Sequence, residues 1–226
     1  MKHYCDKYCS QIDILVEILE SKLLPTFPSA QQDVMTEIGH LQEQAANCHE
    51  LDMQQMSDSL LEYEYSKMSL LDGVQQALLN MYAIALYHLF EQQLTDCQMN
   101  VIGARAKRYG GVLVDEWREQ FPRINLGEMV AVEIEEMKFL CNTLKHGNGP
   151  SADMLHQKWP LYFKGPWERE FLEDDPNAIE HVPRLQMPIF GNDVFVELAD
   201  IIRFQQSLKA FWKTYLTGFS RKTSRP

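Results

Sequence analysis

The chain has 226 residues, 45% of them apolar, enough for one large domain or a domain with a helical extension. Its formal net charge of −11 argues against broad nucleic-acid binding through many phosphate contacts and against a basic amphipathic membrane anchor, while leaving room for a local basic pocket. Five cysteines (Cys5, Cys9, Cys48, Cys97 and Cys141) at irregular spacing form no disulfide framework and fit a reducing compartment.

The opening stretch MKHYCDKYCSQID lacks the apolar core of a signal peptide. A first helix is predicted over residues 4–24, with Ile12, Leu15, Val16, Leu19 and Leu23 near an i, i+3, i+4 stripe, ending at Leu24-Pro25. Ser29 is placed to cap a second helix over residues 30–46, rich in Gln and Glu. Residues 52–100 read as one long helix, or two joined near Asp72-Gly73, with 74–98 crossing the core. The most apolar window, 77–90, is interrupted by Asn80 and His88 and is too short to span a bilayer. The expectation is a soluble, cytoplasmic protein without membrane contact.

RAKRYGG (residues 105–111) reads as a basic turn, followed by a short helix over 112–121 that ends at Pro122. Asn125 is a candidate cap for a helix reaching His146, stopped by Gly147-Asn148-Gly149-Pro150. A short helix follows over 151–158, then an ordered irregular loop over 161–183. Residues 185–196 resemble a short β-hairpin, the alternative being that Asp193 caps the last helix directly. That helix, 194–216, carries Leu198, Ile201, Ile202, Phe204, Leu208 and Phe211, and a basic tail, SRKTSRP, frays beyond it. The expected fold is all-α, with an N-terminal helical region over 1–70, separate or part of one bundle, and the main helical domain over 71–226.

On a helical wheel, Val130, Ile134, Met137, Leu140, Cys141 and Leu144 share an arc of roughly 120°, which is a core stripe. Glu135, Phe139, Asn142 and His146 line up almost opposite, at i, i+4, i+7 and i+11. Read locally, that column is a solvated face, with Lys145 and His146 favouring the helix dipole. Phe139 argues for a second packing surface, against another helix or a partner subunit.

The pattern L-x-N-x-x-K-H-G, carried by Leu140, Asn142, Lys145, His146 and Gly147, resembles the motif helix of HEPN-domain proteins. The likeness extends over about residues 75–220. It implies an all-α, usually dimeric domain of the kind found in RNases, toxin and antiphage systems and nucleotidyltransferase partners. The family signature is an Arg, then four to six residues, then His, often with a polar residue after the Arg. Asn142 and His146 match; the Arg does not, because Phe139, Leu140 and Cys141 stand where it would be. The nearest upstream base is Lys138 and the nearest upstream Arg is Arg123. The resemblance implies a homodimer through the motif-helix face and binding of RNA, a nucleotide or a partner protein, with weak or no RNase activity. One alternative is an active metal-independent endoribonuclease, with His146 as acid/base and Asn142 orienting the phosphate or ribose. The second is a structural helical adaptor.

Lys145, Glu91 and Glu135 complete the candidate binding residues. Glu91 shares a face with Asn80 and Tyr87, and a carboxylate in so apolar a helix invites a partner, His146 or Lys145 of the motif helix, the alternative being a core-boundary Glu paired with any Lys or Arg. No metal or cofactor is expected. His3, Cys5 and Cys9 lack a second ligand pair, His88-x-x-Glu91 stands alone, and no phosphate-binding glycine loop or catalytic triad signature is present. The basic residues Arg105, Lys107 and Arg108 would make an anion groove credible if their turn lay beside His146.

Overall fold

The computed structural model describes residues 2–46, 53–102, 127–165, 168–169, 184–186, 188–190 and 193–222. Helix α1 (Lys2–Ile18) buries Tyr8, Ile12 and Val16 at four-residue spacing. It continues into a π-helical turn, Leu19–Leu23, closed by Leu24 N–H donating to the Leu19 carbonyl at 2.9 Å. Helix α2 (Thr26–Ala46) begins earlier than a cap at Ser29 predicts. Pro28 lies in its first turn, where a missing N–H leaves no hydrogen bond unmade.

Helix α3 (Met53–Asp96) is a single helix of 44 residues, roughly 66 Å long. It passes through Asp72-Gly73 without a break. Gly73 has open space where a Cβ would stand, so it weakens the helix without ending it. A π-helical turn, Cys97–Ile102, follows. Helix α2 packs chiefly on α3, and Ile38 is its one buried residue among those described.

The core gathers α1, the C-terminal half of α3, helix α4 (Glu128–His146), helix α5 (Pro150–Lys158), a 3₁₀ turn (Pro160–Phe163) and helix α6 (Leu198–Lys222). Tyr8 and Trp212 lie 4.5 Å apart between ring centroids, and Phe90 meets Phe211 edge-on at 5.0 Å. Gln93 is buried among them with its amide satisfied. Its Nε2 donates to the Tyr8 carbonyl and to Gln11, and its Oε1 accepts from the Trp212 indole at 2.7 Å. One side chain thus fixes α1, α3 and α6 together.

No strand occurs among the described residues of the expected hairpin, whose turn at Gly191-Asn192 lies outside them. Residues 188–190 turn, and 194–197 run extended along α3. The buried Asn80 amide holds them, donating toward the Pro188, Ile189 and Val194 carbonyls and accepting from Val196 N–H. Phe195 N–H donates to the Tyr162 carbonyl at 2.8 Å. With these backbone groups engaged elsewhere, α6 starts at Leu198 rather than at 194. Asp200, in its first turn, reaches back to accept from Glu197 N–H at 3.0 Å; Asp193 instead accepts from Gln186 N–H.

Helix α4 ends where expected: Gly147 takes φ +70°, and its N–H donates to the Thr143 carbonyl at 2.8 Å. The RAKRYGG turn, the helix expected over 112–121, the Asn125 cap, most of the 161–183 loop and the end of the basic tail lie outside the described residues. Among the described residues, no helix is long and apolar enough to cross a membrane.

Candidate functional site

Helix α4 divides into two faces. Ile134, Met137, Leu140, Cys141 and Leu144 are buried, and Val130 at the start is half-buried. Opposite them Glu135, Phe139 and Asn142 are half-buried and His146 is exposed. Among the described residues neither Asn142 nor His146 has a hydrogen-bond or ion-pair partner.

The chain itself supplies Phe139 with a neighbour. Trp159, at the end of α5, packs on it with ring centroids 6.5 Å apart. Phe139 therefore does mark a second packing surface, and the helix that meets it is this chain's own. The Lys138 ammonium stands 5.6 Å from the Phe139 centroid. Lys158 lies 5.9 Å from Phe139 and 5.6 Å from Trp159, and its Nζ pairs with Glu135 at 3.0 Å. Glu135 thus orients Lys158 over the two rings. This aromatic pair, bracketed by two ammonium groups, continues along α4 to Asn142 and His146.

Lys145 lies near enough to the Cys141 thiol, on the buried face of α4, to act on its ionisation. Burial pushes that thiol up to about 11, with Lys145 opposing the shift and the nearby Glu91 carboxylate adding to it. Lys145 and Glu91 therefore act on the same sulfur in opposite directions. The hydrogen-bond partner of Glu91 is neither Lys145 nor His146, however. It is His88 on its own helix, with Nδ1 2.9 Å from Oε2. The i, i+3 spacing places these two side chains on adjacent turns, within reach of each other without tertiary help. The buried Tyr87 hydroxyl, raised well above the ordinary phenol range by burial and then by Glu91 and Cys141, stays protonated beside them.

Sequence reasoning missed a second polar group on α4. Glu133 and Glu136 are buried at its inner edge, where Arg203 of α6 meets them. Arg203 donates two bonds to Glu136, at 2.8 and 2.6 Å, and a third to Asp200 at 3.0 Å. Tyr162 donates to Glu136 at 2.7 Å, and Ser207 donates to Glu133. The Glu136 hydrogen bonds raise the Arg203 guanidinium far above its ordinary value against the opposing effect of burial, so it remains a cation. A signal was present: Glu133 and Glu136, like Asp200 and Arg203, stand three apart within apolar stripes. This network locks α4 to α6 and the 3₁₀ turn, and so positions the outer face.

No group of three or more His, Cys, Asp and Glu side chains suited to a metal occurs among the described residues. No protein-family model, curated protein or solved structure matches the chain.

Proposed function

We propose that this chain is a HEPN-like binding protein that holds single-stranded RNA or a nucleotide on the outer face of α4 and the end of α5. It serves a toxin or phage-defence type system and cleaves RNA weakly or not at all. The observation that carries this reading is the Phe139–Trp159 pair flanked by Lys138 and Lys158. Aromatic faces stack bases at about 1–3 kcal/mol each, and ammonium groups beside them meet the phosphates. Asn142 and His146 extend the same face with an amide and an imidazole for phosphate or ribose. The Arg position supports binding over cleavage. Leu140 and Cys141 there are buried, Phe139 carries no charge, and a protonated thiol supplies no positive charge to a developing phosphate dianion. The homodimer implied by the resemblance belongs to the same reading, a second motif helix closing the His146 end into a cleft.

The test is fluorescence anisotropy with a labelled single-stranded RNA of about 12 nucleotides, with gel analysis in EDTA. Binding should weaken roughly tenfold in a Lys138→Ala, Lys158→Ala double variant and measurably in His146→Ala, while the RNA stays intact. Binding unchanged in the double variant refutes the reading. RNA cleavage by the wild type that His146→Ala abolishes replaces it with the endoribonuclease.

A further inference from the structure

The negative charge of this protein is concentrated in one stretch. Residues 23–104 hold eleven carboxylates against a single lysine, Lys67, and so carry ten of the eleven net negative charges. The same stretch contains α2 and α3, and α3 leaves a row of apolar side chains in solvent. Leu70, Val74 and Met81 are 65%, 51% and 49% exposed. With the buried Ala77 they follow the 4, 3, 4 spacing of a heptad seam. One turn beyond Met81 the row enters an open groove of about 490 Å³ between α3 and α1, lined by Ala85, His88 and Leu89 on one side and by Ile14, Leu15 and Ile18 on the other. Ile14 and Ile18 are 54% and 42% exposed although their helix packs in the core. From Leu70 to His88 the row extends roughly 27 Å, about five helical turns.

We propose that this groove and the row leading into it dock a basic amphipathic helix from another protein. The shape selects a helix, because apolar residues at heptad spacing accept knobs from a facing helix rather than an extended chain. Charge selects a basic one. Glu17 stands exposed between Ile14 and Ile18, Asp72 stands exposed between Leu70 and Val74, and residues 23–104 hold Lys67 as their one lysine or arginine, with Lys22 one turn beyond Ile18 at the α1 edge. A second copy of this chain would bring two such acidic stretches face to face, and an anionic lipid surface would be repelled in the same way. This surface belongs to α1 and α3, whereas the proposed RNA face belongs to α4 and α5, so the two readings stand or fall separately.

The experiment uses the full chain and a labelled helical peptide of about 18 residues with Leu at the a and d positions and Lys elsewhere. Controls are a Leu/Glu counterpart and a scrambled peptide of the same composition as the Leu/Lys one. The Leu/Lys peptide should bind, weaken with salt, and lose roughly tenfold in affinity when Ile14→Gln and Met81→Gln are combined. Both positions are exposed, so circular dichroism should show an unchanged fold. Met129→Gln, an exposed methionine on α4, should leave binding as it is. Four outcomes overturn the proposal. They are no binding at about 100 µM peptide, equal binding of the scrambled peptide, no effect of the double variant, or a wild-type dimer in sedimentation that the double variant dissociates, which makes a second copy the occupant.

Discussion

Arg203 holds Glu136 with both edges of its guanidinium, Nη1 2.8 Å from Oε2 and Nη2 2.6 Å from Oε1, across the junction of α4 and α6. Glu136 is almost wholly buried, so its charge depends on that fork. Arg203→Met is expected to lower unfolding free energy by about 3 kcal/mol, because it leaves a buried carboxylate without its cation. Arg203→Lys should recover part of the loss, since one ammonium cannot reproduce the paired bonds. The Arg203→Met, Glu136→Met double variant should be more stable than Arg203→Met alone. Urea unfolding of the wild type, Arg203→Met, Glu136→Met and the double variant checks this as a cycle, with Arg203→Lys measured beside it.

Asn80 is expected to behave as a structural latch. Asn80→Leu strands the carbonyls and the N–H it serves in residues 188–196, at a cost of about 2–3 kcal/mol. Hydrogen exchange at Val196 should accelerate by more than global destabilisation explains. Equal protection in both proteins at matched stability would rule out the latch.

Asp96 links α1 to α3 by accepting from Lys7 at 2.9 Å, Tyr8 at 2.8 Å and Asn100 at 2.6 Å. Burial pushes its carboxyl up, but these bonds together outweigh it and bring the pKa below the ordinary value. A carboxylate depressed in the folded state adds stability above its unfolded pKa and loses it as pH falls through the folded value. Asp96→Asn should therefore lower Tm by a few degrees at neutral pH, with the gap closing below about pH 4. A gap that widens in acid contradicts this.

Thiol chemistry should separate the cysteines. Burial holds Cys141 up at about 11 and Cys97 at about 12, leaving roughly one Cys141 thiol in a thousand ionised at pH 8. Iodoacetamide at that pH should spare both in the native protein and modify both after denaturation, read by peptide mass spectrometry. Cys141→Ser should leave any RNA affinity within about twofold, because the thiol faces the core and not the proposed binding face.

Salt should report how many ammonium groups meet phosphate. Contacts from Lys138 and Lys158 predict a slope of log affinity against log salt of about −1.4 for a single strand, and Lys138→Ala should reduce it by about 0.7. A slope near zero would leave stacking as the sole source of binding.

Much of this molecule follows from local periodicity. The buried stripe of α4 and the stop at Gly147 depend on spacing within one helix or on one backbone angle, and each is legible in the residues themselves, whereas the sequence left α3 open as one helix or two joined near Asp72-Gly73. The motif column Glu135, Phe139, Asn142 and His146 is likewise a consequence of helical pitch. What lies across from a helix face is not local. Trp159 against Phe139, Arg203 between Glu133 and Glu136, and Asn80 under residues 188–196 join positions that helical period leaves unrelated; Arg203 and Glu136 are 67 residues apart. Only packing decides which polar side chains enter the interior, because burial is tolerated where a partner of opposite charge or hydrogen-bonding sense arrives from another element. Tertiary structure therefore decided what Phe139, a sign of packing against another helix or a partner subunit, meets: Trp159 of the same chain. It also left the apolar row of α3 and α1 uncovered where the charge is most negative.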